Sequence, residues 1–345
     1  MKKRRTKTGL VLLLASLFLF FCETGTALAS QATSYTYTLD DNDDFVRTQD
    51  AYLPERTITD LGLKTPQDLF IDKENMLYIA DSGNRRVLKY NIREGRVEME
   101  LAYSGFTTPR GIFVTDAGDL YVADAGAKTV FRFSKEFELK EAFEKPDTPL
   151  FSDTNFEPNK IAVDKSGNMY IIGEGVYSGV IQLSHTGDFL GYFTVNKSKV
   201  NFSEALQRLI FSREQLEKML DVVPTTFSNV FLDHQGIVYT TTMGDFRNAV
   251  KKHNTSGGNM FKETVFSISE NIADIYVDTQ GIIYSCSTTG LVDVHSPSGE
   301  LIFSFGSNQS NMDVAGLYSS LPTVAVDMDG NVWTADGDKG YLTSF

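Results

Sequence analysis

Apolar positions in this chain come in short alternating runs, broken by Gly, Asn and Asp. One unit recurs: "DLFIDKENMLYIAD" (68–81), "GIFVTDAGDLYVAD" (111–124), "KIAVDKSGNMYIIG" (160–173), "NVFLDHQGIVYTTT" (229–242), "DIYVDTQGIIYSCS" (274–287) and "TVAVDMDGNVWTAD" (323–336). Each copy holds an apolar strand ending near an Asp, a tight turn, and a second strand carrying an aromatic anchor. The anchors are Tyr78, Tyr121, Tyr170, Tyr239, Tyr284 and Trp333, spaced 43, 49, 69, 45 and 49 residues apart. Alternation continues into a third strand, as in Leu88-Lys89-Tyr90 and Phe131-Arg132-Phe133, which is the period of a half-buried strand. A period in the forties with several short strands per unit predicts an all-β fold, a β-propeller. The count predicts six blades of four strands, a to d from the axis outward. The last copy stops at "GYLTSF" (340–345), its third strand, so the strand read at "YLPERTIT" (52–59) is expected to close the last blade and join the chain ends, leaving no open blade edge there.

A four-stranded meander puts its a–b and c–d turns on one face and its b–c and d–a loops on the other. The a–b turns are tight throughout ("DKEN", "DAGD", "DKSG", "DHQG", "DTQG", "DMDG"), and the long connections, 144–158, 195–228 and 306–320, all run from d to a. The decoration therefore falls on one face, where loops on a rigid scaffold carry function. The longest connection reads as a helical insertion over about 196–226. Leu206, Leu209 and Ile210 share one side of a first helix; Ser212 and Gln215 form a capping box ahead of Leu216, Met219, Leu220 and Val223, a helical period. The expectation is a helical cap packed on the propeller mouth; the alternative is a lid or docking surface exposing Phe211 and Met219.

The chain begins with Lys2, Lys3, Arg4, Arg5 and Lys7, then "GLVLLLASLFLFF" (9–21) and Ala27-Leu28-Ala29. A basic start, an apolar run and a small-residue cleavage site read as a secretory signal over 1–30, followed by an acidic linker (31–50) and the propeller (51–345). A lipoprotein reading of Cys22 needs a small residue before the cysteine, where Phe21 stands. Removing the signal takes five positive charges and one negative, changing the net charge from -13 to -17. A chain that acidic repels phosphate backbones, so nucleic acid is excluded as a partner, and the membrane enters only through the signal peptide. The expected location is secreted or extracytoplasmic, associated with a cell envelope. Only Cys286 remains after the signal, so no internal disulfide forms, and its apolar strand marks a buried, inert thiol. "DDNDD" (40–44) lacks the Gly and distal Glu of a calcium loop and reads as solvated linker.

"TPQDLFIDKENMLYIADSGNRRVLKY" and "TPRGIFVTDAGDLYVADAGAKTVFRF" resemble NHL repeats, of the form P-x-G-ϕ-x-ϕ-D-x-x-G-x-ϕ-Y-ϕ-A-D-x-G-N-x-R-ϕ. Asp68 stands where the repeat has Gly. The third copy keeps only the first half, and the later ones little beyond D-x-x-G-x-ϕ-aromatic. The whole chain resembles exported bacterial NHL proteins often labelled gluconolactonase. The resemblance implies the propeller over 52–345 and leaves function open, because NHL propellers include RNA binders, interaction scaffolds, a metal-dependent amidating lyase and lactonase-like relatives.

The residues that enter strand a line the expected channel mouth: Gln67, Asp68, Arg110, Lys160, Asn229, Asn271 and Asp274, with Glu174 and Tyr177 nearby. A ring mixing Arg, Lys, Asn and acids suits a polar ligand such as a sugar, a peptide or a carboxylate; the plain alternative is a water-filled channel. In the "ADSGNRR" loop, Asp81 and Asp124 are expected to bond the amides of their own turns, with Gly83 and Gly126 supplying positive φ. His185, His234, His253 and His295 follow the repeats toward the undecorated face without ligand spacing. No catalytic or metal-ligating residue is assigned and no cofactor is expected. The function expected is a non-catalytic exported propeller that binds a polar small ligand or a protein partner, in an envelope assembly handling carbohydrate. The alternative is a metal-dependent lactonase or lyase at the channel mouth, gluconolactonase-like, for which calcium would be the metal.

Overall fold

The second strand of each repeat is buried along its whole length. The "MLYIAD", "LYVAD", "MYIIG", "VYTTT", "IYSCS" and "VWTA" strands have every residue buried, because neighbouring sheets cover both of their faces. The outer strand "RVEMEL" alternates toward solvent, as a strand with one free face does. The computed structural model describes residues 36–40, 44–151, 154–194, 226–244, 249–262, 265, 267, 269, 271–308 and 314–345. All of them fall in one unit, Ser34–Phe345.

Strands β1 (Thr36–Leu39) and β2 (Phe45–Thr48) form a hairpin, and β3 (Arg56–Ile58) follows. The first full sheet is β4 (Pro66–Ile71), β5 (Met76–Asp81), β6 (Arg86–Asn91) and β7 (Arg96–Leu101). The second is β8 (Pro109–Val114), β9 (Leu120–Asp124), β10 (Thr129–Phe133) and β11 (Leu139–Phe143). The third is β12 (Pro158–Val163), β13 (Met169–Gly173), β14 (Ile181–Leu183) and β15 (Phe189–Tyr192). A three-stranded sheet comprises β16 (Phe227–Leu232), β17 (Val238–Thr242) and β18 (Val250–His253). Next come β19 (Ile272–Val277), β20 (Ile283–Ser287), β21 (Leu291–His295), β22 (Leu301–Asn308) and the short parallel β23 (Leu317–Tyr318), with β1 and β2 added outside β22 to give seven strands. The last sheet is β24 (Thr323–Val326), β25 (Val332–Ala335), β26 (Leu342–Ser344) and β3.

The innermost strands β4, β8, β12, β16, β19 and β24 touch their neighbours in a closed circuit, which makes the fold a β-propeller. Each gap between adjacent sheets holds its own apolar cluster. The expected six-bladed propeller with a helical insertion is corrected in its blade count. Five sheets are blades of three or four strands, and the remaining one is a seven-stranded sheet. Among the described residues there is no α-helix; only two short 3-10 turns occur, at Ser82–Asn84 and Pro149–Phe151. The helices read between 203 and 223 lie outside the described residues. The enlarged sheet arises because β22 runs for eight residues and offers an outer edge that β1 takes up, with Tyr37 opposite Ser304. The segment read as acidic linker thus contains two strands flanking its charges. The closing strand read at 52–59 is β3, antiparallel to β26 with Thr57 opposite Thr343.

An Asp caps five of the six a–b turns, and in the second turn Thr115 Oγ1 takes that place, accepting the Asp119 amide at 3.1 Å. Asp72 Oδ1 accepts the Glu74 and Met76 amides at 2.9 and 3.0 Å, and Asp164, Asp233, Asp278 and Asp327 do the same in theirs. The acids after strand b reach beyond their own turns. Asp81 accepts the Lys64 amide at 2.7 Å, and Asp124 accepts those of Thr107 and Thr108 at 2.8 Å. They tie the chain entering the sheet to the b–c loop; within that loop, Asp124 also accepts the Ala127 amide. Gly83 and Gly126 do not supply the positive φ, which falls instead on Arg85 (54°) and Lys128 (56°). These glycines supply space: a Cβ on Gly83 would lie 2.6 Å from the Lys64 carbonyl oxygen, and one on Gly126 2.6 Å from Thr108 Oγ1.

This difference predicts opposite behaviour at two glycines. Gly330 has φ +88° and an open surrounding, so Gly330→Ala should cost roughly 1–2 kcal/mol, and Gly330→Asn clearly less, because Asn tolerates the left-handed region. At Gly83, Ala and Asn should both cost about 1–3 kcal/mol by overpacking. Urea unfolding of the four variants checks this; a Gly83→Asn variant milder than Gly83→Ala would contradict it.

Candidate functional site

Every innermost strand but the last is bulged near its start. The register slips between Pro66 and Asp68, Pro109 and Gly111, Pro158 and Lys160, Phe227 and Asn229, and Ile272 and Asp274. A bulge re-aims the next side chain, and here it turns the first residue of each repeat toward the axis. Asp68, Lys160, Asn229 and Asp274 meet there, 6%, 8%, 4% and 3% exposed. Lys160 Nζ donates to Asp68 Oδ1 at 2.5 Å and to the Gln67 carbonyl at 3.3 Å, and lies 3.7 Å from Asp274 Oδ1. Between Lys160 and Asp68 stands β8, whose residue at this level is Gly111. A Cβ there would come within 2.8 Å of the Lys160 Cα, so the glycine lets the lysine cross to the first sheet.

The acids are hydrogen-bonded on every side. Asp68 Oδ2 accepts the Ile112 amide at 2.7 Å. Asp274 Oδ2 accepts Thr323 Oγ1 at 2.6 Å and the Val324 amide at 3.0 Å. Asp274 Oδ1 accepts the Ile275 amide at 2.8 Å and the Asn229 side-chain amide. Thr323 Oγ1 in turn accepts the Leu69 amide at 2.9 Å, completing a belt from sheet to sheet. One level further along the axis, Phe70 and Phe113 lie 5.0 Å apart between ring centroids, and Phe231 and Tyr276 5.1 Å. Between the two layers a cavity of about 20 Å³ remains, enough for a single water. The expected open channel is therefore closed.

Above this floor, Arg110 Nη1 donates to Glu174 Oε2 and to Asn159 Oδ1, both at 2.7 Å. Glu174 is about half exposed, as is Tyr177, while Gln67 is half-buried and donates to the Pro66 carbonyl. Asn271 is exposed, and its backbone pairs with Ser269 and Thr288 outside the central cluster. Of the predicted residues, four converge at the axis and Arg110 and Glu174 pair on the rim. Thr323, Gly111 and Asn159 were not singled out, although Thr323 and Gly111 occupy the same first column of the repeat as Asp68.

Burial pushes the Asp68 carboxyl up to about 7; the Lys160 ammonium opposes that push and the Asp274 charge adds to it. Burial works against the Lys160 ammonium, but Asp274 and Asp68 outweigh it and hold its pKa above the ordinary lysine range. Burial likewise pushes up the Cys286 thiol, helped by Asp274. His253 is buried, with Nε2 2.8 Å from Thr240 Oγ1, and burial lowers its pKa to about 4. His295 is buried in β21, and His185 and His234 are exposed in turns. No three His, Cys, Asp or Glu residues among those described are grouped as metal ligands. The axial oxygens do not fit a calcium ion, which takes six to eight oxygen ligands, because the ammonium of Lys160 stands among them.

No family model matches this chain, and no curated protein matches it by sequence. Solved structures do. Virginiamycin B lyase from Staphylococcus aureus is similar at TM-score 0.53 and 11% identity, over 84% of this chain and 97% of that one. A catalytically inactive form of that lyase with quinupristin gives 0.52 and 10%, over 92% and 96%. A putative gluconolactonase gives 0.54 and 12%, over 82% and 89%. The likeness is one of fold. The neighbours are β-propellers, as this chain is.

Two predictions follow from the axial cluster. Lys160→Met leaves two buried acids facing each other and should destabilise the chain by about 3–5 kcal/mol; adding Asp68→Asn should recover part of that loss, a coupling read from a double-mutant unfolding cycle. Between about pH 4 and about pH 7, the folded chain keeps a proton on Asp68 that the unfolded chain releases, so this group's contribution to stability falls as pH rises. Asp68→Asn removes that titration. Its melting temperature relative to the unmodified chain should therefore improve steadily across the window; a constant gap would show that Asp68 titrates alike in both states.

Proposed function

We propose that this protein is an exported, non-catalytic propeller that binds a polar small ligand or a protein partner on its loop-bearing face, in an envelope assembly that handles carbohydrate. The observation that carries this reading is the ammonium of Lys160 held between Asp68 and Asp274. A hydrolytic or lyase centre at the channel mouth needs acceptors open to substrate or to a Lewis acid. Here the acids are engaged by the protein's own cation, by amides and by Thr323. The rim still offers groups for recognition: the Arg110–Glu174 pair, the Gln67 amide and the exposed Tyr177 ring. Such a mixture of charges and hydrogen-bonding groups on a rigid support positions a polar ligand without chemistry.

The alternative, a metal-dependent lactonase or lyase, draws on the fold likeness to a lyase and a putative gluconolactonase. It requires Lys160 to leave the axis. A thermal melt separates the two readings, because a metal that binds only the folded state at a hundredfold excess over its Kd adds about 2.7 kcal/mol. Calcium, zinc and EDTA should each leave the melting temperature unchanged, and lactone substrates should not be turned over. A rise with either metal, reversed by EDTA, would sink the non-catalytic reading.

A further inference from the structure

The seven-stranded sheet ends in an open edge. Where the other full sheets stop at their fourth strand, this one continues through β1 to β2, and among the described residues no strand pairs with the outer side of β2. All four residues of β2 are exposed. An edge strand is a template for another chain, and folded proteins blunt such edges with charges, irregularities or cover. Four other outer strands follow that rule. β7 carries Arg96, Glu98 and Glu100, and β11 carries Lys140 and Glu141. β15 holds Gly191 at φ +136°, and β18 is met by Asn259, bridged to His253. The middle of β2 is instead Phe45 and Val46, with Phe45 52% exposed.

Register decides what this edge offers. The Asp40 amide donates to the Asp44 carbonyl at 2.9 Å, so these two residues form a hydrogen-bonded antiparallel pair, and such pairs alternate along a ladder. Val46 and Thr48, opposite Thr38 and Thr36, therefore turn their backbone groups to β1. Phe45 turns its N–H and C=O to the open side. Its side chain shares a face with Leu39, directly opposite it on β1, so apolar surface runs inward from the edge. Charge is divided about Phe45: the acids of "DDNDD" (40–44) precede it and Arg47 follows it.

We propose that this edge pairs with the same edge of a second copy of this chain, antiparallel about a two-fold axis at Phe45. The two copies exchange N–H···O=C bonds between their Phe45 residues and set the two rings side by side, a favourable cross-strand pair. The axis carries Arg47 of each copy to the acidic 40–44 end of the other, so a two-fold contact brings opposite charges together. That complementarity selects a second copy as the occupant and Phe45 as the centre, because pairing centred on Arg47 would set the guanidinium against itself. The two seven-stranded sheets then run into one, with no edge left between them. A four-residue edge makes a small contact and both copies are acidic, so the dimer is weak and transient.

The test is sedimentation equilibrium of the whole chain at about 0.15 M salt. The chain should form a reversible dimer with a Kd below about 1 mM. Phe45→Lys and Phe45→Glu change an exposed residue and should melt like the unmodified chain. Each should weaken the dimer about tenfold, because an aromatic pair is lost and like charges face each other. Mixed in equal amounts, the two variants should associate again, as only a contact in which residue 45 faces residue 45 allows. Arg47→Glu, which sets an acid against the acids of the other copy, should also weaken the dimer and serves if either Phe45 variant does not fold. A chain that stays monomeric at about 1 mM overturns the proposal and leaves the edge to a partner of another sequence. Self-association indifferent to both Phe45 variants overturns it by placing the contact elsewhere. A mixture that associates no better than either variant alone overturns the pairing at Phe45.

Discussion

The structure turns on one buried ammonium. Lys160 leaves β12, crosses the space vacated at Gly111 and reaches Asp68 on β4, with Asp274 on β19 within range. Burying three charges is expensive, and such networks are a poor source of net stability. What they do well is fix position, because a slip that unpairs one charge costs several kcal/mol. In this chain the pairing spans sheets that do not share strands. Asn229 and Thr323 extend it to β16 and β24 through Asp274. One small cluster thus sets the level at which nearly all the innermost strands meet, a job that apolar clusters between adjacent sheets cannot do because each sees only two neighbours.

The bulges make that meeting possible. Because strand side chains alternate, a regular strand would send residues 67 and 69 to one face and 68 to the other. The register slip after Pro66 and its equivalents brings the following polar residue onto the axis while the rest of the strand keeps its apolar pattern. The aromatic layer of Phe70, Phe113, Phe231 and Tyr276 follows two residues later by simple alternation. Polar belt and aromatic plug are therefore one consequence of one irregularity, repeated around the ring, and together they fill the axis.

Much of this was legible in the repeat. Once the copies are aligned, their first column reads Asp68, Gly111, Lys160, Asn229, Asp274, Thr323, which is the axial ring in order. The charged and amide members drew notice; Gly111 and Thr323 did not, because their roles, making room and relaying a hydrogen bond, show only against neighbours distant in sequence. Asn271 misled for the opposite reason, being polar and close in sequence but outside that column. Gly83 and Gly126 show a limit of residue type: glycine is written alike whether the backbone needs positive φ or the next segment needs space. The β1–β2 hairpin was hidden by the acids between its strands, and its place on β22 depends on a pairing more than 260 residues apart, Tyr37 with Ser304. The fold's strands are local signals; its enlarged sheet is not.

Ring closure rests on a short junction. The Thr57–Thr343 pair is the centre of the three-residue ladder between β3 and β26, which joins the two ends of the propeller. A ladder that short has few hydrogen bonds to lose, so local opening there is a low-energy excursion for a propeller of this kind.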